Sequence, residues 1–112
     1  MENNHISYIE FKARDLEAIK KFYSECFGWH FKDYGPTYSS FSESGVFGGF
    51  ELSDAPIANG ALVVLYHSDL ETIQATVSSS GGTIVKPIFS FPGGRRFHFK
   101  DPSGNELAVW SE

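Results

Sequence analysis

"RDLEAI", Arg14 to Ile19, returns as "SDLETI", Ser68 to Ile73, with four of six residues identical at an offset of 54. In a chain of 112 residues that offset is close to half the length, so one module is used twice. Outward from the first copy, "ISYIEFKA" alternates Ile9 and Phe11 with Tyr8, Glu10 and Lys12, the period of two of a half-buried strand. Asp15 fits an N-cap, its carboxylate accepting from the free amides of the first helical turn. Leu16, Ile19, Tyr23, Cys26 and Phe27 follow at helical spacing with Phe22 beside them. Cys26 therefore reads as a small apolar core residue, and Gly28 as the stop. The second copy repeats the order: "ALVVLYH" as strand, Asp69 as cap, Leu70, Ile73 and Val77 as stripe, Gly81 and Gly82 as stop.

Short segments rich in aromatic and β-branched residues follow each helix, at about 29–34, 37–43 and 46–52, then at 83–89, 95–100 and 106–110. Gly, Pro, Ser and Asp separate them, as they separate strands. Each half reads β-α-β-β-β, joined by "SDAPIANG". The fold class is α+β: a single domain over residues 1–112, with modules at about 3–55 and 58–112. Their paired sheets are expected to form a cupped mixed sheet, with the helices on its outer face.

Composition narrows the partners. Apolar residues make up 41% of the chain and aromatics 16%, with eleven Phe, so a core is within reach. A net charge of -5 argues against nucleic acid and against an anionic membrane surface as partners. Cys26 alone makes no internal disulfide, the "MENNHIS" start lacks a secretion pattern, and "ALVVLY" is too short to span a bilayer. A cytoplasmic location is the expectation.

The order of elements, with "HISYIEFKARDLEAIKKFYSECFGW" near the start and "FHFKDPSGNELAVW" near the end, resembles the vicinal oxygen chelate superfamily. That superfamily includes glyoxalase I, extradiol dioxygenases, fosfomycin resistance enzymes and bleomycin resistance proteins. The resemblance covers essentially the whole chain and implies paired βαβββ modules, usually in a homodimer. Its metal enzymes place ligands at positions that here hold Tyr8, seven residues before Asp15, Leu62, seven before Asp69, and Ala108, four after Gly104. A fourth ligand should close the first module, where Glu51 is the candidate. Leu and Ala offer no lone pair, and a divalent metal needs several O or N donors. No metal and no cofactor are therefore expected, and neither is glyoxalase I or extradiol dioxygenase activity, which depends on that metal.

Strand alternation lists what lines the cup: Tyr8, Glu10, Val64, Tyr66, Arg96, His98, Lys100, Glu106, Ala108 and Trp110. The resemblance adds that His98 stands where fosfomycin resistance enzymes carry a substrate-contacting Tyr. Gly93 and Gly94 could turn amides towards an anion, beside Arg95 and Arg96. Set against this, a solvated hairpin end accounts for the arginines equally well. DPSGN is first a turn, His67 is expected beneath its helix, and His5 and His30 are expected at the surface.

The favoured reading is metal-free binding of a small organic ligand with an acidic group. Tyr8, Tyr66, Arg96, His98 and Trp110 form the site, and Trp29 is a further stacking surface. The alternatives are a lyase or isomerase using His98 with Glu106 or Glu10 as acid and base, a metal enzyme with displaced ligands, or a bare dimerisation module.

Overall fold

A computed structural model of the chain describes residues 2–3, 6–58 and 60–112. The chain divides into two units, one up to Pro56 and one from Ile57. The expectation for His5 lies outside the described residues.

The first unit runs β1 (Tyr8–Ala13), α1 (Leu16–Phe27), β2 (His30–Asp33), β3 (Tyr38–Ser42) and β4 (Phe47–Leu52). Its sheet has the order β1-β4-β3-β2, with β1 and β4 parallel and the other pairs antiparallel. Asp15 caps α1 by accepting from the Ala18 amide at 3.1 Å, and Gly28 ends it in the left-handed region at φ 71°. Ile19, Phe22 and Tyr23 of the helix are buried with Ala13, Phe41 and Phe50 of the sheet, an apolar stripe closing over one sheet face.

Trp29 corrects the sequence reading. It is buried, stacked 4.6 Å from Tyr23 and 4.6 Å from Phe41, so it belongs to the core and is no ligand surface. An apolar residue directly after a left-handed helix stop commonly folds back on the last turn. Cys26 is only partly buried, outside the sealed stripe.

The second unit repeats the order: β5 (Val63–Tyr66), α2 (Leu70–Ser79), β6 (Thr83–Phe91), β7 (Gly94–Lys100) and β8 (Glu106–Ser111), with the sheet order β5-β8-β7-β6. Asp69 accepts from the Thr72 amide at 3.1 Å and hydroxyl at 2.8 Å. These bonds hold its carboxyl below the usual carboxylate range. Leu70, Ile73 and Val77 pack on Phe97, Phe99, Leu107 and Val109. The α+β class and the βαβββ order are thus as the repeat implies.

Two local features set the site. The register of β6 against β7 shifts between Ile84 and Lys86 and again between Lys86 and Phe89. Pro87 sits within that shift, where a residue without an amide hydrogen is tolerated. The Ile88 amide donates instead to Gln74 Oε1 of α2, at 3.2 Å. Between β7 and β8, Asp101 Oδ1 accepts from the amides of Ser103, Gly104 and Asn105 at 2.9, 2.9 and 3.0 Å. This buried carboxylate organises the turn that starts β8.

Candidate functional site

In the second unit the strand parity expected from sequence holds. Phe97 and Phe99 are fully buried on the helix side, while Arg96 stands opposite Trp110 and His98 opposite Ala108. Arg95 points the other way and pairs with Glu71 of α2 at 2.6 Å. That contact pushes the Glu71 carboxyl down and the Arg95 guanidinium up.

Arg96 has no carboxylate partner among the described residues. Its guanidinium lies 5.4 Å from the Phe89 ring centroid and 5.3 Å from that of Phe91, a cation held on aromatic faces. Its Nε is buried with no acceptor among the described residues. The Phe89 ring also lies 5.8 Å from the His98 imidazole, so one side chain supports both polar groups. Sequence reasoning missed Phe89 and Phe91, although the signal was present. Pro92 and Gly93 make a two-residue hairpin that sets Phe91 opposite Gly94 and Phe89 opposite Arg96. The same hairpin corrects the expectation of an anion nest. A Cβ on Gly94 would lie 2.1 Å from the Ser111 carbonyl oxygen, so this backbone is pressed against β8.

His98 is 4% exposed, and its Nδ1 lies 3.0 Å from Glu106 Oε2. Both side chains line an open pocket of about 260 Å³ whose wall includes Gly60, Ala61 and Leu62. Tyr66 and Trp110 meet edge to face at 5.2 Å on the same sheet face. The Tyr66 hydroxyl donates to Glu112 at 3.2 Å, and the charge of Glu112 pushes that phenol up. His67 is partly buried and accepts from the Asp69 amide at 3.0 Å, a contact at the start of α2. His30 is exposed, as expected.

The corresponding face of the first unit is built differently. The Tyr8 and Tyr38 hydroxyls lie 2.6 Å apart, and the Tyr38 hydroxyl donates to Glu10 at 2.9 Å. Burial, then the contacts with Tyr8 and Glu10, push the Tyr38 phenol up. Lys12 pairs with Glu51, which raises the lysine. Glu10 is therefore a partner of Tyr38 within its own unit.

Strand register corrects the fourth ligand position. Glu10, five residues before one cap, stands opposite Gly49, and Val64, five before the other, stands opposite Ala108. Gly49, not Glu51, is the counterpart of Ala108. The positions where the resemblance implies ligands then hold Tyr8 and Gly49 in the first unit and Leu62 and Ala108 in the second, and only Tyr8 carries a donor side chain. This donor set does not fit a divalent metal. Among the described residues no three His, Cys, Asp or Glu side chains come together in a way that could hold one.

A model of the Glyoxalase/Bleomycin resistance protein/Dioxygenase superfamily matches residues 5–109, and the chain belongs to that family. CFP32 of Mycobacterium tuberculosis, provisionally named a glyoxylase, is 26% identical over 93% of this chain and 44% of its own length. The chain thus spans less than half of this curated relative. FosX of Listeria monocytogenes, a fosfomycin resistance protein, was solved in a mutant form with Mn(II) and 1S,2S-dihydroxypropylphosphonic acid. It superposes with TM-score 0.84 at 15% identity, over 98% of this chain and 91% of that one. TnmS3 of Streptomyces sp. CB03234, an antibiotic binding protein, gives TM-score 0.72 at 24% identity, over 99% and 98%. Likeness at these identities establishes the fold. Among the described residues no helix is long and apolar enough to cross a membrane.

Proposed function

We propose that the chain binds a small organic acid without a metal, on the face of the second sheet that carries Arg96, His98, Tyr66 and Trp110. The observation that carries this reading is Arg96: a guanidinium supported by Phe89 and Phe91, with a buried Nε and no carboxylate partner among the described residues. Such a group suits a ligand carboxylate or phosphate. Tyr66 and Trp110 supply aromatic surface for a ring. The binding role named for TnmS3 supports the reading at the level of the fold. A cytoplasmic homodimer is part of the proposal, and light scattering at micromolar concentration is expected to give twice the chain mass.

A second reading rests on the 3.0 Å contact between His98 and Glu106, a pairing of residue types used as general acid and base. One set of variants separates the two. With benzoate as probe in calorimetry, Arg96→Ala is expected to weaken binding by about 1.5 to 3 kcal/mol, the range of a charge-assisted hydrogen bond. Arg95→Ala should leave it unchanged, because Arg95 faces Glu71. Equal effects of the two changes would overturn the assignment. For a binder, His98→Ala lowers affinity only; for an acid/base enzyme it abolishes turnover of a substrate that still binds. Elemental analysis of protein purified without chelator is expected to find no stoichiometric Ni, Zn, Fe or Mn. A stoichiometric metal would end the metal-free reading.

A further inference from the structure

We infer that Glu106 fixes His98 as the imidazole protonated on Nδ1, leaving Nε2 as a buried acceptor for a hydroxyl or N–H group of the ligand. The ligand class is then a small acid that also carries such a donor. This inference rests on Arg96 taking the acidic end and adds a second contact that can fail separately.

The assignment follows from donor and acceptor chemistry. An ionised carboxylate only accepts, so the hydrogen in the 3.0 Å contact between His98 and Glu106 sits on Nδ1. A second proton would leave a buried charged N–H with no acceptor among the described residues, so the ring is neutral and carries its lone pair on Nε2. That atom is buried with no hydrogen-bond partner among the described residues, in a residue that is itself 4% exposed. A buried acceptor without a donor is disfavoured, and a ligand that supplies one recovers the loss. The His98 side chain lines a pocket of about 260 Å³ together with Glu106, Gly60, Ala61 and Leu62, which is small for a ligand cleft and suits a compound of one ring.

The second end of the ligand is defined on the same strand. Arg96 precedes His98 by two residues, and Phe89 contacts both, so a donor to His98 and an anion at Arg96 lie along one sheet face. Among the described residues, Arg96 Nε–H is a buried donor without an acceptor and His98 Nε2 a buried acceptor without a donor. One molecule bearing an anion and a hydroxyl satisfies both. Glu106 acts as a positioning residue: it orients the imidazole and selects the tautomer, as carboxylates do for ligating and catalytic histidines.

The tautomer is read in the unliganded protein. In a long-range proton–nitrogen correlation spectrum at neutral pH, the His98 ring is expected to show the pattern of Nδ1–H with a bare Nε2. Its signals are assigned by contacts to Phe89 and by their loss in His98→Gln. Glu106→Gln, whose amide can donate or accept, should give a mixture of tautomers. A doubly protonated ring or an Nε2–H tautomer in the native protein would overturn the inference.

Calorimetry then compares 4-hydroxybenzoate with benzoate. The hydroxyl is expected to tighten binding about five- to tenfold, the worth of one neutral hydrogen bond. Glu106→Gln should shrink that preference, read as the ratio of the two affinities in the variant against the same ratio in the native protein. Equal binding of the two acids by the native protein sinks this inference and leaves the Arg96 reading intact. Failure of benzoate to bind at millimolar concentration removes both.

Discussion

On the sheet face away from its helix, the first unit closes its polar groups on one another, with Tyr38 bridging Tyr8 and Glu10, and Lys12 held by Glu51. The second unit repeats the register of β1, β3 and β4 in β5, β7 and β8 but leaves Arg96 Nε and His98 Nε2 without partners among the described residues. The difference arises at equivalent positions. Tyr38 stands opposite Glu51 where Arg96 stands opposite Trp110, and Gly49 occupies the place of Ala108. The two halves share the register of these three strands and an apolar helix-facing core, while the opposite faces differ in chemistry. A face whose polar groups are mutually satisfied is inert towards a ligand; one with unpaired buried donors and acceptors gains from binding.

The two cores are the sharpest place to break this comparison. On the helix side Phe41 stands opposite Gly48 in the first unit, and Phe99 opposite Leu107 in the second. A Cβ on Gly48 would lie 2.2 Å from both the Ile9 carbonyl oxygen and the Phe41 ring. A backbone oxygen cannot swing aside, so Gly48→Ala should cost about 3 kcal/mol by overpacking. Leu107→Ala at the equivalent position should cost about 2 to 5 kcal/mol by opening a cavity. Thermal or urea denaturation measures both. If Gly48→Ala is neutral, the ring of Phe41 does not lie over that glycine.

The next test moves the first unit's face towards the second's. Gly49→Ala places a Cβ 2.3 Å from the Tyr38 hydroxyl, at the far end of a side chain that can rotate. The expected result is displacement of Tyr38 from Tyr8 and Glu10 at a cost of about 1 kcal/mol, the worth of the hydrogen bonds lost. A tyrosine hydroxyl signal unchanged in the NMR spectrum of that variant would show that Gly49 does not create the space.

Much of this was legible in sequence because it is local. Asp15 and Asp69 sit at fixed distances from apolar stripes, DPSGN carries its own turn chemistry, and alternation alone separates Arg95 from Arg96. What escaped depends on pairing between strands. Placing Glu51 against Lys12, instead of at the position of Ala108, needs the exact residue count of the turn before β4. The burial of Trp29 is not legible because one residue directly after a helix stop has no period to assign its face; its stacking on Tyr23 depends on the chain reversal at Gly28. The aromatic support beneath Arg96 required reading "FPGG" as a turn that sets register, and not only as a break.

The smallest expected effect concerns the Tyr38 phenol and runs on the alkaline side. In the unfolded chain it ionises near its ordinary value of 10.0, whereas burial, Tyr8 and Glu10 hold the proton on it to higher pH in the folded protein. Above pH 10 the unfolded state therefore binds fewer protons than the folded one, and stability falls as pH rises. Below that value the contribution is present in full. Tyr38→Phe removes the titration, so the decline of melting temperature above pH 10 should be shallower than in the native protein, with no change of slope near neutrality. Tyr66 is raised as well, by the charge of Glu112, but it lies on the exposed edge of the second unit's face. Tyr66→Phe is therefore the matched control. Combined with Gly49→Ala, which already displaces Tyr38, Tyr38→Phe should flatten the slope no further, whereas Tyr66→Phe should still add its own small change. An alkaline slope identical in the native protein and Tyr38→Phe would show that the phenol is not held by its unit's hydrogen-bonded chain, and the contrast between the two faces would lose its clearest electrostatic mark.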